Sequence, residues 1–420
     1  MDSGAHGNGT DDDRLHILDA ITAAAGSPVY FPAGTYLLST ALTVANTVSF
    51  VGGTNLGPDN LTAHLKGRLN FGTGSSFTDL KIGESGNAAL VNNGNVYNTS
   101  FTRCQFRGGG GGTWPGEGSM EHVITLNTAC HDLTFTDCNV ECNMGTEDAG
   151  HTKHYDNIYI QPAVVSPSIE NVLFIGCHFG VSNGTRTGCP RYGIELYEVG
   201  TAGTRTHGHR NVSFESCLFE ACDEENLDYA GSTTSADTTV PNCGWSYVRD
   251  CTFLGNGKGP IVWGAGDIIF EGGTGHVEVS GCTFYRGAYQ AVKMEDQEGY
   301  GVNAYHSFHD NFIYSDDAHL DNGITHQFGP YIYVQSNLNE VYGNTLLNAG
   351  PLYSRSIVIV GDNNSITGNT FTNQLQGYVV ELTAASSGNT LTGNTLTTGG
   401  GWGSGPITNL GTGNTVSPNP

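Results

Sequence analysis

The sequence predicts an all-β protein built as a single-stranded right-handed parallel β-helix, and three observations lead to that fold class. Cysteine and then asparagine recurs two residues before an apolar or aromatic residue, at intervals of 25 to 40 residues. Short segments with β-branched or alternating character, such as Val277-Glu278-Val279, separate these anchors. Glycine, at 61 of 420 residues, supplies the turns. Strand-like repeats of this length indicate a solenoid whose coils stack in register. The anchors are Cys104, Cys138, Cys177, Cys217, Cys251, Cys282, Asn311, Asn344, Asn369 and Asn394.

The anchor residues are expected to form an internal column at one turn of each coil. Thiols are small and often buried, and asparagine tolerates left-handed backbone while its amide can bond along a stack. We therefore predict that the six cysteines of the column are reduced and buried.

Five further cysteines make the total of 11 odd, so at least one thiol is free. One or two disulfides among the five are compatible with the sequence, which does not determine their pairing. They are Cys130, Cys142, Cys189, Cys222 and Cys243.

The charge balance restricts the function. A formal net charge of −24 with 16 Lys and Arg excludes a general nucleic-acid binder.

No apolar run approaches the length of a membrane span. The first residues lack the basic and apolar regions of a signal peptide. We expect either a mature secreted segment or a protein exported by another route, such as inside a virus particle.

The N-terminal segment is expected to close one end of the solenoid. Thr10 is predicted to cap a helix with Asp13 at its third position, with Leu15, Leu18 and Ile21 or Thr22 as the buried stripe. Gly26 and Pro28 end the helix. The predicted organisation is a cap over residues 1–45, with the helix and first strands, followed by the β-helix over 46–420.

This N-terminal string also carries a family signal. It begins Gly-Asn-Gly-Thr-Asp-Asp and ends Val-Tyr-Phe-Pro-Ala-Gly-Thr-Tyr between residues 7 and 36. It resembles the opening of pectate-lyase-like β-helix proteins, a superfamily of polysaccharide lyases and hydrolases, uronan epimerases and phage tailspike depolymerases. The resemblance implies an extracellular enzyme that acts on polysaccharides.

Functional side chains are expected on the outer face of the strand that follows each anchor. Alternation then sends Glu195, Tyr197, Asp228, Trp263, Lys293, Glu295, Thr325 and Gln327 outward. The aligned segments are Ile194-Glu195-Leu196-Tyr197, Leu227-Asp228-Tyr229, Val262-Trp263, Val292-Lys293-Met294-Glu295 and Ile324-Thr325-His326-Gln327.

Two catalytic mechanisms are compatible with these residues, and a lyase is preferred. Several acidic residues lie before and within the Asp228 strand, and their carboxylate oxygens are the ligands that calcium, a hard cation, prefers. The string from Asp223 to Asp228 resembles the calcium loop of lysine-dependent pectate lyases, which implies that Lys293 abstracts the C5 proton of an acidic sugar. The chain departs from that family because Trp263 occupies the coil where its lysine is expected. The predicted calcium ligands are Asp223, Glu224, Glu225 and Asp228.

In the alternative mechanism the carboxylates themselves hydrolyse a glycosidic bond. Glu195 and Asp228 on adjacent coils suit a retaining enzyme, whereas Asp228 and Glu295, two coils apart, suit an inverting one. A third hypothesis is a non-catalytic carbohydrate-binding or tail-fibre solenoid.

The substrate contacts are expected from two aromatic residues, three arginines and a histidine. They are Tyr197, Trp263, Arg191, Arg205, Arg210 and His326. A monomer and a homotrimer are both compatible with the sequence.

Overall fold

The computed structural model divides the chain into two compact units, residues 1–195 and 196–420. The structure describes residues 3–45, 47–53, 61–84, 88–92, 94–108, 122–142, 156–160, 169–181, 192–197, 209–220, 225–230, 243–254, 266–285, 290–295, 302–315, 331–348, 356–373, 379–398 and 407–417. No helix within these segments is long and apolar enough to cross a membrane.

Unit 1 consists of one helix and short strands. In chain order they are β1 (Asn8–Asp12), α1 (Arg14–Ala24), β2 (Val29–Tyr30), β3 (Gly34–Leu37), β4 (Leu42–Thr43), β5 (Ser49–Val51), β6 (Ala63–Lys66), β7 (Leu69–Phe71), β8 (Ser76–Thr78), β9 (Lys81–Ile82), β10 (Leu90–Asn92), β11 (Val96–Thr102), β12 (Gln105–Gly108), β13 (Ile124–Leu126), β14 (Cys130–Thr136), β15 (Asn139–Cys142), β16 (Asp156–Ile160), β17 (Ile169–Ile175), β18 (His178–Val181) and β19 (Tyr192–Tyr197), which crosses the unit boundary.

Every third strand of unit 1 pairs in parallel, which is the signature of a β-helix coil with three walls. Sheet A1 has the order β1-β3-β6-β9-β12-β15-β18, sheet B1 the order β2-β5-β8-β11-β14-β17, and sheet C1 the order β4-β7-β10-β13-β16-β19.

Unit 2 consists of strands alone in the part of the chain that the structure describes. They are β20 (Arg210–Glu215), β21 (Leu218–Glu220), β22 (Glu225–Ala230), β23 (Cys243–Gly244), β24 (Tyr247–Arg249), β25 (Thr252–Leu254), β26 (Gly266–Phe270), β27 (Thr274–Gly275), β28 (Glu278–Ser280), β29 (Thr283–Tyr285), β30 (Gln290–Met294), β31 (Ser307–His309), β32 (Phe312–Ser315), β33 (Ile332–Val334), β34 (Glu340–Tyr342), β35 (Thr345–Asn348), β36 (Ile357–Ile359), β37 (Ser365–Thr367), β38 (Thr370–Asn373), β39 (Val380–Leu382), β40 (Thr390–Thr392), β41 (Thr395–Thr398), β42 (Ile407–Asn409) and β43 (Thr415–Val416).

The same three-wall pattern holds in unit 2. Sheet A2 runs β21-β25-β29-β32-β35-β38-β41, sheet B2 runs β20-β24-β28-β31-β34-β37-β40-β43, and sheet C2 runs β22-β26-β30-β33-β36-β39-β42, with β23 and β27 paired beside sheet B2. The predicted fold class, a right-handed parallel β-helix with a short N-terminal helix, is confirmed. The predicted boundary between cap and solenoid at residue 45 stays a prediction.

The N-terminal helix differs in detail from the predicted one. It begins at Arg14, so Asp13 rather than Thr10 occupies the capping position. The Asp13 carboxylate instead accepts hydrogen bonds from the backbone N–H groups of His6 and Gly7, at 2.6 and 3.2 Å. This shift buries Ile17 and leaves Leu15, a predicted core residue, 60% exposed.

The core is built from aligned aromatic columns. In unit 1 the rings of Phe77, Phe101, Phe135 and Phe174 stack with centroid distances of 4.9, 4.7 and 4.7 Å. In unit 2 Phe219, Phe253 and Phe284 stack at 4.7 Å in both steps. Parallel pairing in register places each ring over the same residue type of the next coil, so the core repeats with the coil.

The predicted columns of thiols and carboxamides lie inside the coils and share one bonding pattern. In both columns side chains donate to the carbonyl of a core residue one coil earlier, as Cys104 Sγ does to Phe77 O at 3.5 Å and Asn344 Nδ2 to Phe308 O at 2.8 Å. Asn311, Asn344, Asn369 and Asn394 also bond to one another, with Nδ2 to Oδ1 distances of 3.0, 2.9 and 3.0 Å. Thiols and carboxamides therefore occupy the same position in the coil and donate the same type of hydrogen bond.

A second asparagine column runs beside sheet B2 and was not predicted. Asn339 Nδ2 donates to Asn364 Oδ1 at 3.0 Å, and Asn389 Nδ2 donates to Asn414 Oδ1 at 3.1 Å. Asn364 N donates to Asn389 Oδ1 at 2.7 Å, which joins the two pairs.

All cysteines of the described segments are free and buried, including Cys130, Cys142 and Cys243. Cys189 and Cys222 lie outside those segments. Burial raises the pKa of the Cys138 and Cys130 thiols, so both stay protonated at neutral pH.

Replacing Asn369 with alanine is predicted to lower the free energy of unfolding by about 2–5 kcal/mol, because several buried polar groups lose partners. Asn344 N and Nδ2 both donate to Asn369 Oδ1, at 2.9 Å each. Asn369→Cys should cost less, since a thiol fills this slot on earlier coils. Thr367→Ala, an outward change on the same coil, should stay within about 0.5 kcal/mol. Denaturant melts measure all three, and equal losses for the three variants would contradict the prediction.

Two buried histidines in unit 2 make its stability dependent on pH. Burial lowers the pKa of His209 to about 4 and that of His306 to about 3. His306 Nε2 contacts Asn303 Oδ1 at 2.6 Å, and its ring stacks on Phe270 at 4.3 Å. Both rings are therefore neutral in the folded protein and become protonated on unfolding below pH 6.5.

Because the unfolded chain binds more protons, stability should fall as pH drops from about 6 to 4, by about 1.4 kcal/mol per pH unit for each histidine. His209→Gln and His306→Gln should each reduce this slope of unfolding free energy against pH by that amount. Thr367→Ala, which removes no titratable group, is the control that should leave the slope unchanged. An unaltered slope in both core variants would refute the assignment.

Candidate functional site

The predicted residues Asp228 and Lys293 share the outer face of sheet C2 with one coil between them, but in a different register from the one predicted. Asp228 pairs with Ile269, and Ile269 pairs with Lys293. Lys293 then pairs with Tyr333. The predicted alignment of Leu227 with Val262 and of Val292 with Ile324 is wrong, since these residues pair with Ile268 and Ile332.

The error has a physical cause. The strand Gly266–Phe270 carries isoleucine at its outward position as well as at its inward one, and Ile269 is only 3% exposed. Alternation of polar and apolar residues was the signal used to place the strands, and this strand lacks it. One coil does separate Asp228 from Lys293, as predicted, and the outward residue on that coil is Ile269.

Lys293 and Glu295 form a close ion pair at the end of strand β30. Lys293 Nζ lies 2.5 Å from Glu295 Oε2, and both side chains are mostly buried. The neighbouring Tyr333 is half-buried, and burial together with the charge of Glu295 raises its pKa. Lys293, Glu295 and Tyr333 therefore form one polar cluster whose charges are coupled.

A further carboxylate was missed by the sequence analysis. Asp267 lies on the intervening strand β26, two residues before Ile269, so alternation places it on the same outer face. It is buried, and its Oδ1 accepts a hydrogen bond from Asn226 Nδ2 at 2.7 Å. The signal available in the sequence was the Gly-Asp pair opening an apolar run, which a strand-by-strand alignment would have used.

The predicted calcium ligands do not converge in the described part of the chain. Glu225 and Asp228 are both buried in strand β22, but they are three positions apart, so the alternation of a strand directs them to opposite faces. Asp223 and Glu224 lie outside the described residues. No group of three or more His, Cys, Asp or Glu side chains within the described segments could hold a metal ion. Calcium binding stays a prediction.

Unit 1 carries its own polar cluster on sheet C1, which was also missed. His122 Nδ1 lies 2.8 Å from Asp156 Oδ2, and both side chains are buried. The His122 ring stacks on Tyr159 at 4.3 Å. The pair was overlooked because 33 residues lie between His122 and Asp156, and His122 lies two residues before strand β13, ahead of its alternating pattern.

Glu195 lies on strand β19 in unit 1 with its neighbours Ile194 and Leu196 fully buried, so it faces outward as predicted. Its predicted pairing with Asp228 stays a prediction.

Arg210, a predicted substrate contact, lies on sheet B2 and not on sheet C2. It begins strand β20, and its guanidinium lies over the Trp245 ring at 4.5 Å. Four predicted substrate contacts, Arg191, Arg205, Trp263 and His326, lie outside the described residues, and the side chain of Tyr197 does as well.

Comparisons with known proteins agree with this architecture. Residues 1–189 match the family described as rhamnogalacturonase A/epimerase, pectate lyase-like. The chain has a pectate-lyase-like β-helix fold. The predicted resemblance is thus confirmed, and no curated protein matches the chain.

Three solved structures share this fold. PfbA, a surface adhesin of Streptococcus pneumoniae, is 16% identical with a TM-score of 0.61, and the alignment covers 92% of this chain and 91% of PfbA. The Dettilon tailspike protein is 11% identical with a TM-score of 0.52, covering 94% of this chain and 67% of the tailspike. DFA-IIIase from Arthrobacter chlorophenolicus A6 is 14% identical with a TM-score of 0.51, covering 93% and 92%. These likenesses establish the fold alone.

The coupling between Tyr333 and Glu295 is testable without a substrate. Glu295→Gln should lower the Tyr333 pKa, because the carboxylate charge that disfavours the tyrosinate is removed. Tyr247, whose pKa is raised by burial and by Glu215, is the internal control and should not change. NMR titration of ring-labelled tyrosine resolves both. If the Tyr333 pKa is unchanged, the two side chains are not coupled.

Proposed function

We propose that the protein is a polysaccharide-acting glycoside hydrolase whose catalytic carboxylates lie on the outer face of sheet C2. The observation that carries the proposal is the placement of Asp228, Asp267 and Glu295 on three consecutive strands of one face. Paired carboxylates are the groups that glycoside hydrolysis requires. The pectate-lyase-like fold supports a substrate of the polysaccharide class.

The spacing of the strands assigns roles to two of the carboxylates. Asp228 lies across from Lys293 at a distance of two strand spacings, and Glu295 follows two residues later. The backbones of Asp228 and Glu295 are therefore about 12 Å apart, at ~4.8 Å per strand and ~3.3 Å per residue, and side chains that lean toward each other bring the carboxyls nearer. This separation suits an inverting reaction, in which one carboxyl protonates the leaving oxygen and the other activates water on the opposite face of the sugar. Asp228, buried beside Ile269, is assigned as the acid.

Glu295 is assigned as the base because Lys293 fixes the orientation of its carboxyl group. Lys293 holds one of its oxygens at 2.5 Å and leaves the second oxygen for water. The same contact weakens the lyase hypothesis, since Lys293 would have to give up both its proton and this ion pair before acting as a base. Tyr333 lines the same face and is a candidate for contact with the sugar.

The location of the protein is proposed from its fold relatives. A surface adhesin and a tailspike protein share the fold, and both are outside a cell or on a virion by their names. We propose an extracellular or virion-associated protein that acts as a monomer or homotrimer on a polysaccharide.

Incubation with a panel of polysaccharides distinguishes the reaction classes. We expect new reducing ends without ultraviolet-absorbing unsaturated products, and activity that survives a chelator. Asp228→Asn and Glu295→Gln should lower kcat by about 10²–10⁴-fold, the usual contribution of a general acid or base. Lys293→Met should lose much less than either, because it only positions Glu295.

Glu381→Gln is the matched control. Its carboxylate lies on the outer face of the same sheet, where Val358 separates it from Tyr333. Its replacement should leave kcat unchanged. Unsaturated products that disappear with Lys293→Met and with chelator would refute the hydrolase and favour the calcium-dependent lyase. A full panel without any new chain ends would favour a binding protein.

A further inference from the structure

A second surface of unit 2 carries a column of exposed aromatic rings on the turn that precedes the strands of sheet B2. Trp245 and His276 stack at 5.1 Å, and His276 and Tyr305 stack at 4.9 Å with nearly parallel rings. We call these three residues the aromatic column. Arg210 covers the free face of Trp245 at 4.5 Å. Trp245 and Tyr305 are 40% and 42% exposed, so this column lies at the surface and not in the core.

The backbone at each residue of the aromatic column is left-handed, with φ of 49°, 56° and 63°. A bulky side chain in this conformation costs roughly 1–2 kcal/mol. On nearby coils the same turn position holds residues that tolerate this left-handed conformation. They are Asn211 before the column and Asn363 after it, both at positive φ. In unit 1 the turns of strands β11, β14 and β17 hold Asn98, Asp132 and Asn171.

Folding alone therefore favours asparagine or glycine at these positions, and three consecutive coils carry aromatic residues instead. Stacking recovers part of the cost, at about 0.5–1.5 kcal/mol per pair. Stacking does not remove the backbone strain, and strained backbone that the fold does not require is characteristic of sites that contact a ligand. The aromatic column is continued by Leu338, also left-handed and 43% exposed.

The outer face of sheet B2 beside the column carries hydrogen-bonding groups on the same coils. Arg249 forms a paired contact with Glu278, at 3.0 and 2.8 Å, and its guanidinium lies over the Tyr247 ring at 4.4 Å. His309 stacks on Tyr342 at 4.5 Å. On the later coils the same positions hold only serine and threonine, so the charged and aromatic groups of this face lie on strands β20 to β34 in the described part of unit 2. Those later residues are Ser365, Thr367, Thr390 and Thr392.

We propose that the aromatic column and the adjoining face of sheet B2 form a non-catalytic binding site for an extended polysaccharide chain. The column repeats one ring per coil, at ~4.8 Å along the axis, so a linear polymer meets similar groups at each step. Aromatic rings beside guanidinium and carboxylate groups provide both the apolar surface and the hydrogen bonds that sugars need. A globular protein partner would place the Arg249–Glu278 pair in the core of its interface, where charged residues are depleted.

This site rests on the proposed function only for the class of polymer, and it lies on a different sheet from the carboxylates. It would hold the polymer while the face of sheet C2 cleaves it. Loss of the column should therefore affect long chains and spare short oligosaccharides.

The test uses the full chain carrying Glu295→Gln, with Trp245→Asn, His276→Asn or Tyr305→Asn added singly. Affinity electrophoresis in gels containing polygalacturonate, alginate or dextran gives the Kd for each polymer. We expect retardation of the parent in at least one gel and a rise in Kd of about tenfold per ring removed. The Tm of each variant should be unchanged or higher, because asparagine relieves the left-handed strain.

Tyr97→Asn is the control, since Tyr97 is an exposed ring stacked on His131 in unit 1 at 5.1 Å. It should leave the Kd unchanged. Three outcomes would overturn the proposal: no retardation of the parent in any gel, full affinity in the column variants, or a lowered Tm with unchanged Kd, which would make the column purely structural. If Glu295→Gln itself still hydrolyses polymer while the column variants lose binding, the catalytic assignment fails and this site stands.

Discussion

The architecture depends on one hydrogen bond that is repeated from coil to coil. At the inward turn of a coil, a short side chain donates a hydrogen bond to a core carbonyl of the preceding coil. In the carboxamide column the same side chain also accepts a hydrogen bond from the backbone N–H of the preceding coil's turn residue. Asn369, for example, donates to Val341 O and accepts from Asn344 N. Because a buried N–H or carbonyl without a partner costs about 1–3 kcal/mol, this bond holds adjacent coils in a single register.

That register explains why the fold was predictable and the site only partly so. The turn residues repeat with the coil, so their spacing alone revealed the solenoid. The outer face has no such constraint, so its residues differ from coil to coil. Ile269 shows the difference, since it stands in a row of three apolar residues, Ile268 to Phe270, with no polar residue to mark the outward position.

The residues that could not be predicted lie where the repeat of the coil is hidden in the sequence. Asp267 and His122 stand at the starts of strands, where the alternating pattern has not yet begun and long intervening segments hide the coil period. Asp228, Lys293 and Glu295 were found because each lies inside or directly after a strand with clear alternation. The second asparagine column escaped for another reason: its members sit five residues before the first, and both fall in segments rich in asparagine.

The thiol column has a consequence for how the molecule behaves when it opens. Every cysteine of the described segments is buried and free, and burial holds the Cys138 thiol in its protonated, unreactive form. Alkylating reagents can reach such a sulfur only while its coil is separated from its neighbours. The cysteines are distributed along the solenoid at intervals of one coil, so the order in which they become labelled records where the stack parts first.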